Sequence, residues 1–471
     1  MLFPTLDFAI FFVAVFAVAW SLRDHHQGRK LWLLVVSYFF YGYWDWRFCF
    51  LLFFASFVAY AAGLALARSE VPRTRNWIVG TSVAVLLVIL GFFKYYGFFL
   101  SSLAPLLERF GLQRDMLFLE IVLPVGISFF TFHAISYIVD VYRGHARART
   151  SLTDILLYMS FFPPLVAGPI VRAAQFLPQL ETRRRLTRRA LAIGLVLCVV
   201  GLFKKMVVAN YLAADLVDPV FFDPSAHPAP VLLFAAYGYA IQIYCDFSGY
   251  SDLAIGTAAL LGYHLKPNFR QPYRSGSLQE FWRRWHISLS SWLRDYLYKP
   301  LGGSRHGEAG TYRNLLLTML LGGLWHGASW TFVVWGAIHG AGLSLERLFR
   351  ERFGFGLSGS MAGRALAVFL TFHVVTAAWI FFRAENFDLA WSYFAGLGAL
   401  DGDTSMITPF LTALILIPLA FQFTPENLAD RIAGRIKAWP ALGLGIATGA
   451  AIVLVELVAP EGTAPFIYFQ F

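Results

Sequence analysis

Long apolar runs separated by short polar stretches dominate the chain. They lie near 4–21, 31–46, 48–67, 77–100, 116–139, 152–171, 190–213, 230–247, 249–263, 313–345, 364–382, 406–422 and 439–458. Most are close to the roughly 20 residues with which a helix crosses a bilayer. The pattern predicts an all-α polytopic membrane protein with about eleven transmembrane helices, the remaining runs being short or re-entrant. Two runs depart from a plain span. Run 152–171 is basic on both sides (Arg143, Arg147 and Arg149 before it, Arg183, Arg184 and Arg185 after it) and holds Phe161-Phe162-Pro163-Pro164-Leu165-Val166-Ala167-Gly168-Pro169. Both ends therefore want the same side, and the prolines break the backbone, so this run is expected to dip in and return. Run 313–345 is also basic at its ends, and Gly322-Gly323-Leu324-Trp325-His326-Gly327 interrupts its middle. Two helical pieces meeting at His326 are expected there.

The longest polar stretch, 264–312, holds an amphipathic pattern. Leu278, Phe281, Trp282, Trp285, Leu289, Trp292, Leu293 and Tyr296 follow the i, i+3, i+4, i+7 spacing of one helical face,. A single helix over about 278–298, lying in the membrane interface, is expected. Neither a fixed-period repeat nor a hydrophilic stretch large enough for a soluble domain is found, so residues 1–471 are expected to form one membrane domain.

Composition agrees: 58% of the 471 residues are hydrophobic and 14% are charged. The first run has no basic residue before it and Arg23, Arg29 and Lys30 after it, as in an uncleaved first span,. Cys49, Cys198 and Cys245 lie in separate apolar runs, which suggests inert buried thiols,. The net charge of +10 comes from clusters at 23–30, 68–75, 143–149, 183–189, 266–274, 283–284, 305–313 and 347–352. Under the positive-inside rule these loops are cytoplasmic, which puts the sparse stretches 101–115 and 214–229, and the N-terminus, outside. Basic residues spread over many membrane-flanking loops do not suit nucleic acid.

Candidate chemistry centres on His326, because ionisable groups at membrane depth are costly and default to function. The alternative is a core histidine satisfied by a carbonyl. An imidazole kept from water favours its neutral form, which accepts a proton from a hydroxyl or thiol, so His326 is a candidate general base or nucleophile. Trp325 and Ser329 are candidates to touch its substrate, and Ser329 and Trp330 either orient the ring or are purely structural. His286 falls at the edge of the amphipathic stripe, facing either the headgroups or an opening into the protein. Arg283, Arg284, Arg294 and Lys299 form a basic mouth suited to a phosphorylated substrate, or else are snorkelling surface charges. Asp295 is a candidate contact there, or an ion-pair partner for a neighbouring arginine. A metal is disfavoured: no two of His133, His286, His326, His339 and His373 have i, i+3 or i, i+4 spacing,. Asp246, Ser248, Tyr250 and Asp252 mark a polar kink between two runs, either a pore lining or a helix break.

Several stretches together resemble the membrane-bound O-acyltransferase (MBOAT) family. These are Phe281-Trp282-Arg283-Arg284-Trp285-His286, continuing through Trp292-Leu293-Arg294-Asp295-Tyr296-Leu297-Tyr298 to Pro300-Leu301-Gly302-Gly303, and Gly323-Leu324-Trp325-His326-Gly327-Ala328-Ser329-Trp330. Pro124-Val125-Gly126-Ile127-Ser128-Phe129-Phe130-Thr131-Phe132, Asp140-Val141-Tyr142-Arg143, Ala167-Gly168-Pro169-Ile170-Val171-Arg172 and Asp246-Phe247-Ser248-Gly249-Tyr250-Ser251-Asp252 resemble its bacterial, alginate O-acetyltransferase-like branch. The resemblance runs to the closing Phe466-Ile467-Tyr468-Phe469-Gln470-Phe471. It implies many tilted helices around a central tunnel, with His326 at the constriction and His286 near the cytoplasmic entrance. It further implies acetyl transfer from a cytoplasmic thioester, acetyl-CoA, without another cofactor. The acetyl group would pass across the bacterial inner membrane to an SGNH-type periplasmic acetyltransferase that modifies an exopolysaccharide. His133 departs from the Gln expected in relatives after Thr-Phe. Alternatives are D-alanyl or other acyl transfer to a cell-wall polymer, a non-enzymatic polysaccharide or lipid transporter, and a scaffold for a periplasmic enzyme.

Overall fold

The computed structural model describes residues 1, 3–109, 119, 121–353 and 360–462, without the side chains of 105–107 and 353. The closing Phe466 to Phe471, and residues 110–115 of the sparse stretch 101–115, lie outside the described residues. All regular structure among the described residues is helical, and contacts group the chain into two compact units, Met1–Thr187 with Ala258–Leu265, and Arg188–Thr257 with Lys266–Phe471.

The first unit contains α1 (Leu6–Ser21), α2 (His26–Gly42), α3 (Phe48–Arg68), α4 (Pro72–Arg109), α5 (Ile127–Tyr142) and α6 (Leu152–Ser160). At nine residues α6 is about 14 Å long, half of a bilayer core,. Phe161 turns the chain out of it, and Pro163 and Pro164 sit in a one-turn helix, Phe162–Leu165, so the run breaks where the prolines predict. Two charges expected in a solvated loop are buried instead. Lys30 Nζ lies 2.7 Å from Asp154 Oδ1 at the start of α6, and Arg29 donates to the Leu261 carbonyl at 2.7 Å with its guanidinium over the Trp20 ring. Both side chains tie α2 to segments distant in sequence, so a basic residue flanking an apolar run is not always a topology signal. His133 is also structural in its visible contacts: its Nε2 accepts the Val171 N–H at 3.0 Å, tying α5 to the proline-rich segment.

The second unit opens with α7 (Arg188–Phe222), a single 35-residue rod with π-helical turns at Phe203–Ala209 and Ala213–Val217, and α8 (Ala229–Leu260), whose last turn joins the first unit. The polar stretch Asp246–Asp252 is not a helix break, since α8 runs through it and merges the runs 230–247 and 249–263. The carboxylates are matched from α7: Lys205 pairs with buried Asp246, and Lys204 Nζ lies 2.7 Å from Asp252. Small residues let the two backbones touch. A Cβ on Gly201 would stand 2.7 Å from the Gly249 carbonyl oxygen, and one on Gly256 2.8 Å from that of Gly194,.

Then follow α9 (Leu278–Arg284), α10 (Ile287–Leu293), α11 (Gly307–His326), α12 (Trp330–Phe353), α13 (Met361–Arg383), α14 (Phe387–Gly396), α15 (Pro409–Phe421), α16 (Leu428–Ile436) and α17 (Ala441–Val458). Six helices among the described residues are long and apolar enough to cross a membrane: α3, α4, α7, α8, α13 and α17. Three shorter apolar helices, α1, α5 and α15, accompany them. This is fewer than the eleven or so expected, partly because α8 absorbs two runs. The protein is an all-α, multi-pass membrane protein.

Candidate functional site

His326 is the last residue of α11 and 97% buried, and α12 begins four residues later. The break expected at this histidine is therefore present, but not because Gly322 and Gly323 weaken the helix, which runs intact through both. Their role is contact. A Cβ on Gly323 would lie 2.2 Å from the Phe332 carbonyl oxygen, and one on Gly336 of α12 2.4 Å from that of Met319. The two helices thus form an antiparallel hairpin with backbones touching, and His326 occupies its apex. Its ring meets Trp325 and Trp335 edge-on at 5.0 Å each, and Phe382 of α13 at 5.2 Å.

His286 is completely buried, and it explains a second departure from the sequence pattern. The continuous interfacial helix expected over 278–298 is divided into α9, α10 and a π-helical turn at Arg294–Tyr298. The division falls at His286, whose backbone is left-handed (φ 40°, ψ 54°). Such a conformation costs a non-glycine residue about 1–3 kcal/mol and clusters at functional sites. Asn268 holds it in place. Its carbonyl accepts the Ile287 N–H at 2.9 Å, and its side-chain Oδ1 accepts the Ser288 N–H at 3.2 Å. The apolar face of α9 and α10 is covered by protein: Trp285 stacks on Phe281 at 5.5 Å and packs on Trp379 at 5.0 Å.

The same Asn268 Oδ1 lies 3.2 Å from His286 Nδ1. Because a backbone N–H fixes this oxygen as an acceptor, Nδ1 carries the ring proton. Nε2 then presents a lone pair, and it has no hydrogen-bond partner among the described residues. The amide of Asn268 donates onward to Ser251 of α8 at 3.2 Å, and Phe247 of α8 meets the His286 ring edge-on at 4.6 Å. His286 and His326 both touch the Trp325 indole, His286 at 5.9 Å. A ring able to accept a proton and a second imidazole are thus brought against the same tryptophan, in surroundings walled by aromatic residues.

The other sequence candidates are distributed around this centre. Arg283 is exposed on α9. Arg284 is committed to Glu280 at 2.9 Å and Glu426 at 2.7 Å; this hydrogen bond holds the Glu426 carboxyl below its ordinary value. Asp295 receives both Arg294 at 3.0 Å and Lys299 at 2.8 Å, so two cations share one carboxylate and positive charge remains in excess. Ser329 stands at the start of α12, with its hydroxyl 3.0 Å from Thr331 Oγ1. The N-terminus of α9 is fixed to α12 by Glu346, which accepts the Leu278 N–H at 2.8 Å. Sequence reasoning missed Asn268, which belongs to no periodic pattern. It weighed His339 only as a metal ligand, although Trp335 and His339 stand four apart on one face of α12.

Residues 38–382 match the family model of the membrane-bound O-acyltransferases. The chain is 37% identical to a probable alginate O-acetylase of Azotobacter vinelandii over the full length of both proteins. It is 37% identical to the peptidoglycan O-acetyltransferase of Helicobacter pylori over 79% of this chain and 74% of that one. A teichoic acid D-alanyltransferase of Streptococcus thermophilus stands further off, 28% identical over 56% of this chain and 69% of its own length. With a buried histidine at the apex of a glycine-packed hairpin, and matching sequence from α2 to α13, the chain belongs to the membrane-bound O-acyltransferase family and is an acyltransferase.

Proposed function

We propose that this protein takes an acetyl group from acetyl-CoA at the cytoplasmic face of the bacterial inner membrane and delivers it for O-acetylation of an extracytoplasmic polysaccharide through an SGNH-type periplasmic partner. The observation that carries the reading is the contact that His326 and His286 both make with the Trp325 ring. The acetyl group and the sugar-polymer acceptor are supported by the names of the two O-acetylating relatives, which match far more of the chain than the D-alanylating one.

In this reading His326 is the general base. It takes the proton of the acceptor hydroxyl as the oxygen attacks the thioester carbonyl; the tetrahedral intermediate collapses, the C–S bond breaks, and the departing sulfur receives that proton from His326. His286 assists on the thioester side, where its Nε2 lone pair accepts an N–H of the pantetheine arm. Arg283, with the surplus charge of Arg294 and Lys299, meets the CoA phosphates. Arg284 supports this mouth structurally through Glu280 and Glu426, and Asp295 positions its two cations. Ser329 starts the helix that carries Trp335 and His339, and Trp325 is the ring that both imidazoles touch.

Full-length protein in nanodiscs, given acetyl-CoA and its partner, is expected to release free CoA. His326→Ala should abolish this and polymer acetylation at unchanged membrane levels, and full acetylation in that variant would rule out the catalytic role. Polymer flux without CoA release would instead identify a transporter, and acetylation surviving His326→Ala would identify a scaffold.

A further inference from the structure

The transfer just described places negative charge on the acyl oxygen and assigns nothing to receive it, while two buried donors on α12, one on Trp335 against His326 and one on His339 against Trp335, stand without an acceptor among the described residues. The first is His339. Trp282 Nε1 donates to its Nδ1 at 3.3 Å. An indole nitrogen can only donate, so Nδ1 must be the bare nitrogen, and the proton of the neutral ring is on Nε2. That Nε2 has no hydrogen-bond partner among the described residues, and His339 is completely buried. The second is the indole N–H of Trp335, also completely buried and also unpartnered. The Trp335 ring meets His326 at 5.0 Å and His339 at 4.9 Å, so the two donor-bearing rings adjoin each other and that of Trp335 adjoins the proposed base. His339 is held firmly: Phe281 stacks on its ring at 6.1 Å and 9°, and the Trp282 hydrogen bond fixes its rotation. Buried donors are normally satisfied, and a pair left open in a rigid aromatic wall indicates a ligand oxygen.

We propose that His339 Nε2–H and Trp335 Nε1–H form the site that binds the acyl oxygen of the donor and stabilises its oxyanion; the assignment rests on the acyl-transfer reading above. As the acceptor oxygen bonds to the carbonyl carbon, the carbonyl π pair moves onto the acyl oxygen, which draws in both donors. When that pair returns, the C–S bond breaks and the sulfur leaves with the proton held by His326. The two histidines, each linked to the base through one tryptophan ring, thereby have opposite polarity: His286 offers a lone pair at Nε2 and His339 offers a proton there. Preorganised donors in a dry site are the usual means of stabilising such charge.

The test uses acetyl-CoA labelled with carbon-13 at the carbonyl, bound to full-length protein in nanodiscs and followed by isotope-edited infrared spectroscopy together with CoA release. Trp335→Phe and His339→Phe each remove an N–H while keeping a ring. Each should lower kcat about 10²- to 10³-fold, leave acetyl-CoA affinity within about twofold, and raise the carbonyl stretching frequency relative to wild type. His339→Gln, which retains an N–H donor, should recover part of both. Wild-type turnover in both Phe variants, or lost turnover with an unshifted carbonyl band, overturns the oxyanion site alone. A wild-type protein that binds no thioester and releases no CoA overturns the acetyl-CoA reading as well.

Discussion

Substituting alanine at Gly336 gives a quantitative test of the hairpin as a positioning device. The new Cβ would lie 2.4 Å from the Met319 carbonyl oxygen and 3.0 Å from its carbon. Carbon–oxygen contacts settle near 3.3 Å, so α12 must withdraw from α11 by about 1 Å. His326 is carried by α11, while Trp335 and His339 are carried by α12, so the 5.0 Å contact between His326 and Trp335 opens by a similar amount. A misplacement of about 1 Å costs roughly 100-fold in rate when reacting groups are held in register. Stability moves less, because overpacking of about 1–3 kcal/mol is partly offset by the higher helix propensity of alanine, about 1 kcal/mol over glycine. The assay is CoA release per folded protein in nanodiscs, with thermal unfolding measured in parallel. Gly323→Ala, whose Cβ meets the Phe332 carbonyl oxygen at 2.2 Å, should behave alike. Gly443→Ala on α17, where nothing lies within 4 Å, should be silent. Turnover above half of wild type in both hairpin variants would refute the idea that backbone contact sets the catalytic geometry.

Asn268→Leu, which removes the acceptor of the His286 ring and of the Ser288 N–H, should lower kcat about 10- to 100-fold, each lost bond being worth about 1–3 kcal/mol; Asn268→Asp keeps the acceptor and should retain more activity, and equal loss in both would contradict the tautomer assignment. Lys205→Met should destabilise by about 3–5 kcal/mol by stranding Asp246, whereas Lys205→Met combined with Asp246→Leu should regain most of it in thermal unfolding; a double variant as unstable as the single would show that the ion pair is not the source. Glu426 has a depressed pKa, so its tether to Arg284 is fully present above the ordinary carboxylate value and is lost as pH falls through the depressed one,. Arg284→Gln should therefore flatten the acid limb of the stability profile by under about 1 kcal/mol, and an unchanged limb would count against the tether.

The helical architecture was legible because a bilayer demands long apolar runs, and His326 stood out because a titratable side chain is so costly there. Basic flanks and glycines also suggested two helical pieces meeting there, although Gly322 and Gly323 lie inside an unbroken helix, where Gly323 makes a close backbone contact and no break. Less legible were features set by partners distant in sequence. Asp246 and Asp252 looked like a kink because their lysines lie on another helix. Arg29 and Lys30 looked solvated because Asp154 and the Leu261 carbonyl are far along the chain. The helix expected over 278–298 breaks at His286 because Asn268, 18 residues earlier, captures the backbone of 287 and 288. Apolar periodicity reports which face is buried; it carries no information on whether the helix survives one left-handed residue.

The lysine–aspartate ladder between α7 and α8 also bears on how the protein is made. A carboxylate or an ammonium group in the middle of an isolated inserting helix costs about 2.5–3.5 kcal/mol. α7 carries Lys204 and Lys205, and α8 carries Asp246 and Asp252, with the loop between the helices only six residues long. Of the six long apolar helices, α8 is the least hydrophobic. Released into lipid alone it would favour withdrawal; released beside α7 it meets its counter-charges at once. The two helices are therefore best suited to leave the insertion machinery together, as a charge-neutral hairpin, before the rest of the second unit assembles.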